Sequence, residues 1–188
     1  MIQIEDKAKL LAHSAHAGLY LGLFFILKYF CVFYTLRFPL LGVLYMLLTA
    51  AVPFVVYRQM LNYRNRIVSP QSRFSVFHGW QYGMSLFIFA SILVSVSHYY
   101  YHAFLLPNQM AAFSAQIEQT LRQPGMRELM LQITGGKDWN TILQEFLAVE
   151  PISRVWNDIS MNVLWGAIVS IICALILRRP TPEVTNEN

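Results

Sequence analysis

Charge is what this chain has least of. Only 13% of its 188 residues are Asp, Glu, Lys or Arg, while 56% are hydrophobic; soluble domains carry about 25% charged residues. The shortage is concentrated. Residues 10–27, 38–57, 74–117 and 159–177 contain no Asp, Glu, Lys or Arg at all. A helix in water needs a polar face, so these runs exclude an ordinary soluble domain. Each is long enough to cross a hydrocarbon core of about 30 Å, which takes roughly 20 apolar residues. Cysteine is also scarce. Cys31 and Cys173 fall in apolar runs and at different expected depths, beyond the roughly 7 Å Cα separation a disulfide tolerates. Also missing are a Gly-rich phosphate loop, a nucleophile elbow and a metalloprotease motif. These absences leave the sequence with no reaction to assign and no catalytic residue to name.

What is present reads as an all-α polytopic membrane protein, a single membrane domain over residues 1–188. The expected spans are 11–33, 39–57, 80–101 and 157–177, with an outer helical loop over 102–156. Lys7, Lys9 and the triplet Ala15-His16-Ala17 give the first span some likeness to a cleaved signal peptide. Few apolar residues precede that triplet, however, and the run continues to Phe33, which makes it a retained span. The formal net charge is +4, and its placement points to a membrane rather than to nucleic acid. Arg58, Arg64, Arg66 and Arg73 lie between spans two and three, and Arg178-Arg179 follow span four. Basic residues in short segments at membrane ends fix orientation. Both termini and the 58–79 loop are therefore expected in the cytoplasm, with 102–156 facing outward. Lys28 and Arg37 near the first hairpin dissent, and Lys28 is expected to snorkel towards the outer surface.

Small residues indicate how the spans pack. Gly18 and Gly22 are one turn apart, as are Gly79 and Gly83; span four carries Asn162, Gly166, Ser170 and Ala174 on one stripe. Such spacing allows close backbone approach, and Asn162 can hydrogen-bond across an interface. Pro53 should kink the second span. In the outer loop, Asn108 is expected to cap a helix with the stripe Met110, Phe113, Ile117 and Leu121. A second helix carries Met126, Leu129, Met130 and Ile133, and a third, capped by Asp138, carries Trp139, Ile142, Leu143, Phe146 and Leu147. Amphipathic faces must be covered, which makes Phe113, Trp139 and Phe146 the interaction candidates.

The histidines are the chemical question. "SHYYYH" (97–102) sets His98 and His102 one helical turn apart, a spacing that can hold a metal. Their expected outer-end position among Tyr99, Tyr100 and Tyr101 suits the headgroup region instead, since tyrosine has an apolar body and a polar tip. His13, His16 and His78 could converge at the inner end, with an interfacial role again preferred. The sequence reading therefore assigns no metal and no cofactor.

The layout resembles a bacterial family of small four-helix inner-membrane proteins catalogued as a domain of unknown function. The likeness rests on "YRQMLNYRNR" after span two, "RFSVFHGWQYG" entering span three, "SHYYYHAFLLP" leaving it, and span four ending "LILRR". It implies a location in the bacterial inner membrane and carries no activity. The expected function is a non-enzymatic membrane scaffold or accessory subunit of the cell envelope, in contact with lipid. There is room for a protein partner at the outer loop or a second copy of the chain. A small transporter or lipid-handling protein is the alternative.

Overall fold

A computed structural model of the chain describes residues 4–35 and 37–180. It is all-helical: α1 (Ile4–Phe33), α2 (Leu40–Arg66), α3 (Val76–Tyr100), a π-helical turn (Tyr101–Leu105), α4 (Leu106–Leu121), α5 (Met126–Ile133), α6 (Trp139–Ala148) and α7 (Pro151–Leu177). Four helical stretches are long and apolar enough to cross a membrane: Lys7–Phe33, Leu40–Arg66, Val76–Leu121 and Pro151–Leu177. The chain divides into two compact units, the first comprising residues 1–95 and 159–188 and the second 96–158.

In the first unit each helix buries one stripe. On α1 the stripe is Leu10, Ser14, Ala17, Leu21, Phe25 and Lys28, at the three- and four-residue intervals that keep side chains on one helix face. On α3 it includes Tyr82, Leu86, Ala90 and Val94. The opposite faces expose large apolar residues, among them Leu40, Met46 and Phe54 on α2, as lipid-facing positions do. Only 11% of the most apolar window of α2 is buried, against 44% for the stretch that contains α3. α3 is thus central to the bundle and α2 peripheral.

The small residues sit where helices nearly touch. A Cβ added to Gly18 would lie 2.6 Å from Phe89 Cβ, and one on Gly22 would lie 2.8 Å from Leu93 Cδ2, so α1 meets α3 there. A Cβ on Gly79 would lie 2.7 Å from Ala174 Cβ, one on Gly83 would overlap Ser170, and one on Gly166 would enter the Phe87 ring. These three contacts run antiparallel along α3 and α7. Asn162 accepts a hydrogen bond of 2.7 Å from the Tyr29 hydroxyl, joining α7 to α1.

Several sequence expectations are corrected. Asn108 caps nothing: helix continues through it, and its Nδ2 donates to Phe104 O at 3.1 Å. Pro107 stands in the first turn of α4, directly after the π turn. Proline lacks an N–H and crowds the carbonyl four residues back. A widened turn accommodates that without ending the helix. Asp138 does occupy the residue before α6 with extended backbone, but its side chain makes no capping bond. Lys28 does not snorkel. It is 5% exposed, on the same stripe as Leu21 and Phe25.

Two further local features fit their sequences. Gly125 opens α5 at φ 80°, and Gly135 follows that helix at φ 66°, left-handed conformations for which a side chain is costly. At the basic end, Phe74 and Arg179 exchange both backbone hydrogen bonds, at 3.0 and 2.9 Å. Arg64 Nη1 donates to Leu177 O at 3.1 Å, satisfying a carbonyl of the last turn of α7 that the helix itself leaves open.

Replacing Gly166 with Leu should force α7 off the Phe87 ring. We expect a loss of about 1–3 kcal/mol, the usual cost of overpacking, read as a lower thermal midpoint in detergent. An unchanged midpoint would mean that this face of α7 does not pack on α3.

Candidate functional site

Three polar clusters stand out, together with the amphipathic helices of the second unit. In those helices, Phe113 and Trp139 face one another with ring centroids 5.9 Å apart. Trp139 Nε1 donates to the buried Ser114 hydroxyl at 2.8 Å. Two of the three interaction candidates are therefore occupied within the unit, covering α4 with α6. Phe146 remains exposed, with the Arg154 guanidinium 4.2 Å above its ring. Leu129 and Ile133 on α5 are exposed as well.

At the basic end of the first unit lies an aromatic and histidine cluster. The Tyr63 and Tyr82 rings stack with centroids 4.3 Å apart and planes 5° from parallel. His13 Nδ1 is 3.0 Å from the Tyr82 hydroxyl, and His78 Nε2 is 2.9 Å from the Tyr63 hydroxyl. Both tyrosines are almost wholly buried, so these bonds meet the need of their hydroxyls for partners. His16 turns away and bonds Ala12 O of its own helix at 2.9 Å. The three inner histidines thus do not converge on one point. Beside them opens a cleft of about 810 Å³ lined by Lys7, Lys9, Arg73 and His78, with Ser69, Ser72 and Ser75.

Lys28 makes the second cluster. Its ammonium lies 4.7, 4.3 and 5.5 Å from the ring centroids of Phe25, Tyr29 and Tyr45. The ring faces attract a cation, each by about 2 kcal/mol when water is excluded. Among the described ion pairs none involves Lys28.

The third cluster lies in the second unit and turns the reading of "SHYYYH" around. His98 is 3% exposed while Tyr99 and Tyr100 point outward. The two histidines are turned inward with Asp158, apart from these exposed rings. His98 Nδ1 lies 2.6 Å from Asp158 Oδ2, and His102 Nε2 lies 2.8 Å from the same oxygen. His98 comes from the last turn of α3, His102 from the π turn, and Asp158 from α7. The ring centroids are 6.2 Å apart and the rings nearly perpendicular. His102 Nδ1 is buried without a hydrogen-bond partner. An ionised carboxylate only accepts, so each histidine nitrogen facing Asp158 donates in this arrangement. The spacing of the two histidines is plain in the sequence; their convergence on Asp158 is not. The available signal was periodicity: Leu86, Ala90, Val94 and His98 step by four along one face of α3, which is the buried face.

The class is now defined: an all-helical protein with four helices long and apolar enough to cross a membrane. The sequence model of the family described as "Protein of unknown function (DUF4199)" matches residues 16–179, and the chain belongs to that family. Neither a curated protein nor a solved structure matches it.

Lys28 gives the sharpest stability prediction. Taking an ammonium out of water costs several kcal/mol, and no carboxylate offsets it among the described ion pairs. Lys28→Met keeps the length and the apolar stem, so the thermal midpoint in detergent should rise, by roughly 1 kcal/mol or more of added stability. A fall would show that the ring faces offset the lost hydration of the ammonium.

Proposed function

We propose that this chain is a non-enzymatic integral membrane scaffold or accessory subunit of the bacterial cell envelope. The observation that supports this is the filled middle of the first unit. Leu21, Phe25, Leu86, Phe87 and Ala90 are each 2% exposed or less, and the glycine contacts leave no space for a side chain between α1 and α3 or between α3 and α7. A carrier needs helices that part to admit a substrate. Interiors packed this closely resist such parting, because each lost contact forfeits its dispersion energy. The work of the protein then falls to its surfaces. In the second unit, Phe146 with Leu129 and Ile133 is the apolar surface offered to a protein partner or a second copy of the chain. Lipid covers the exposed faces of the spans. Nucleic acid has no place in this reading, since the basic residues lie at helix ends beside a membrane.

We place the protein in the inner membrane with both termini and the 58–79 loop in the cytoplasm. The support is the gathering of Arg58, Arg64, Arg66, Arg73, Arg178 and Arg179 at one end of the first unit, the bias that orients short loops. The termini themselves, residues 1–3 and 181–188, lie outside the described residues.

The basic cleft favours a second reading, lipid handling. Lys7, Lys9 and Arg73 with three serines suit the phosphate of an anionic headgroup. Gentle extraction of the full chain from native membrane, followed by mass spectrometry of the intact assembly, separates the two. Scaffold function predicts a protein partner, or a second copy of the chain, in fixed ratio. A bound anionic lipid in fixed ratio with no protein, lost in Arg73→Gln, would replace the first reading by the second.

Orientation has its own check. Gln71 and Gln119 are both exposed. With Cys31 and Cys173 replaced by serine, Gln119→Cys in spheroplasts should react with an impermeant thiol reagent, and Gln71→Cys only after lysis. The reverse pattern would invert the protein in the membrane.

A further inference from the structure

The convergence of His98, His102 and Asp158 does more than join two helix ends. We propose that these three residues form a binding site for one divalent first-row transition-metal ion, such as Zn2+, at the base of the second unit.

Three observations carry this. The first is the donor set: two imidazole nitrogens and a carboxylate oxygen are the ligands such ions take, with three protein groups and one position left open. The second is geometry. All three ligand atoms lie within 4.8 Å of one another, and the two that face Asp158 Oδ2 are 2.6 and 2.8 Å from it. Ligands placed tetrahedrally at about 2.0–2.1 Å from a zinc ion are about 3.3 Å apart. The side chains therefore need to open by only about half an ångström or slightly more, and a carboxylate can do that by turning about its own bond. The third is access and charge. The His98 and His102 side chains are 4% and 13% exposed and Asp158 is 32% exposed, so the open position is reached from the Asp158 side. Two neutral rings and one carboxylate leave a bound dication with a residual single positive charge, which a hydroxide or an incoming anion at the open position would neutralise. Arg154, one turn before Asp158, is held by the carbonyls of Phe146 and Val149.

The π turn contributes to the site. His102 lies inside it, so the wider winding sets the direction in which its side chain leaves the helix. Pro107, which the π turn accommodates, is thereby linked to the position of a ligand.

The placement also says what the ion would do. Asp158 lies 60 residues after His98 and 56 after His102, and these are the two ends of the second unit. An ion held by both ends closes the whole segment as a loop, and a clip on a long loop removes more chain entropy than one on a short loop. Metal binding is then coupled to the ordering of α4, α5 and α6, the helices that carry the exposed Phe146 surface. The competing reading is an ion-pair latch that needs no metal.

The full chain, purified in detergent through a tag without histidine and stripped with a chelator, is titrated with Zn2+ and separately with Co2+. The site predicts saturable binding of one ion per chain, ligand-field bands of a nitrogen- and oxygen-coordinated Co2+, and slower hydrogen exchange across 106–150 on loading. Asp158→Asn and His102→Gln should each weaken binding by about 100-fold or more, a ligand's loss costing at least as much as that of its supporting partner. The double variant His13→Gln/His78→Gln should keep the stoichiometry. Should either site variant fail to fold, the wild-type titration and its Co2+ spectrum decide alone. No saturable binding by wild type overturns the site and leaves the latch. Binding that survives both Asp158→Asn and His102→Gln, or disappears with His13 and His78, overturns it equally.

Discussion

Close approach of α3 to α1 and α7 is the constraint on which the first unit depends. Between helices in hydrocarbon, burial of apolar surface gives no drive, because lipid tails are as apolar as leucine. Association then relies on contact, and contact requires that backbones come near. Gly18 and Gly22 admit Phe89 and Leu93, while Gly79, Gly83 and Gly166 admit Ala174, Ser170 and Phe87. Each site pairs an absent side chain with a present one, so the interfaces interlock and fix register as well as distance. α2 lies outside this arrangement. It packs on α1, where Tyr45 lies beside Tyr29 and Lys28. It meets α3 and α7 through the Tyr63–Tyr82 stack, Arg64 on Leu177 O and Cys173, whose Sγ lies 3.8 Å from the carbonyl of Pro53.

The same scarcity of water governs the polar groups. Each one buried in the spans must find a partner, and the partners found are of several kinds. Tyrosine hydroxyls meet histidines at the basic end, and Tyr29 meets Asn162. Lys28 settles for ring faces, and Asp158 takes two histidines on a single oxygen. The carboxylate and the ammonium do not neutralise each other; each has its own surroundings. A structure seeking only stability would pair them or omit them, since buried charges unpaired with one another are costly.

The outline of the fold was legible because it follows from length and charge alone. Charge-free runs gave four spans, and the small-residue spacings marked the faces along which α1, α3 and α7 now meet. Helix ends were less legible. α2 continues to Arg66, past the polar residues that suggested a stop, because arginine and asparagine project beyond the membrane without ending a helix. Asn108 read as a helix start, but the helix runs through it after a π turn. Lys28 and His98 were misplaced for one shared reason. Their type was read before their face, although Lys28 shares a stripe with Leu21 and Phe25, and His98 with Leu86, Ala90 and Val94. The meeting of His98, His102 and Asp158 lay beyond periodicity, since it depends on the pairing of residues 56 and 60 positions apart.

Where the ionisable groups stand constrains what the molecule can do. No Asp, Glu, Lys or Arg occurs over residues 74–117 or 159–177, so the central part of α3 and most of α7 offer no stepping stones for an ion or a proton. The middle of the first unit is filled by apolar side chains and closed by glycine contacts. The larger groupings of polar side chains are a basic cleft beside the Tyr63–Tyr82 stack, the Lys28 cluster, and a histidine–aspartate cluster in the second unit. The second unit, 63 residues long by its bounds of 96 and 158, brings His98, His102 and Asp158 together from its two ends.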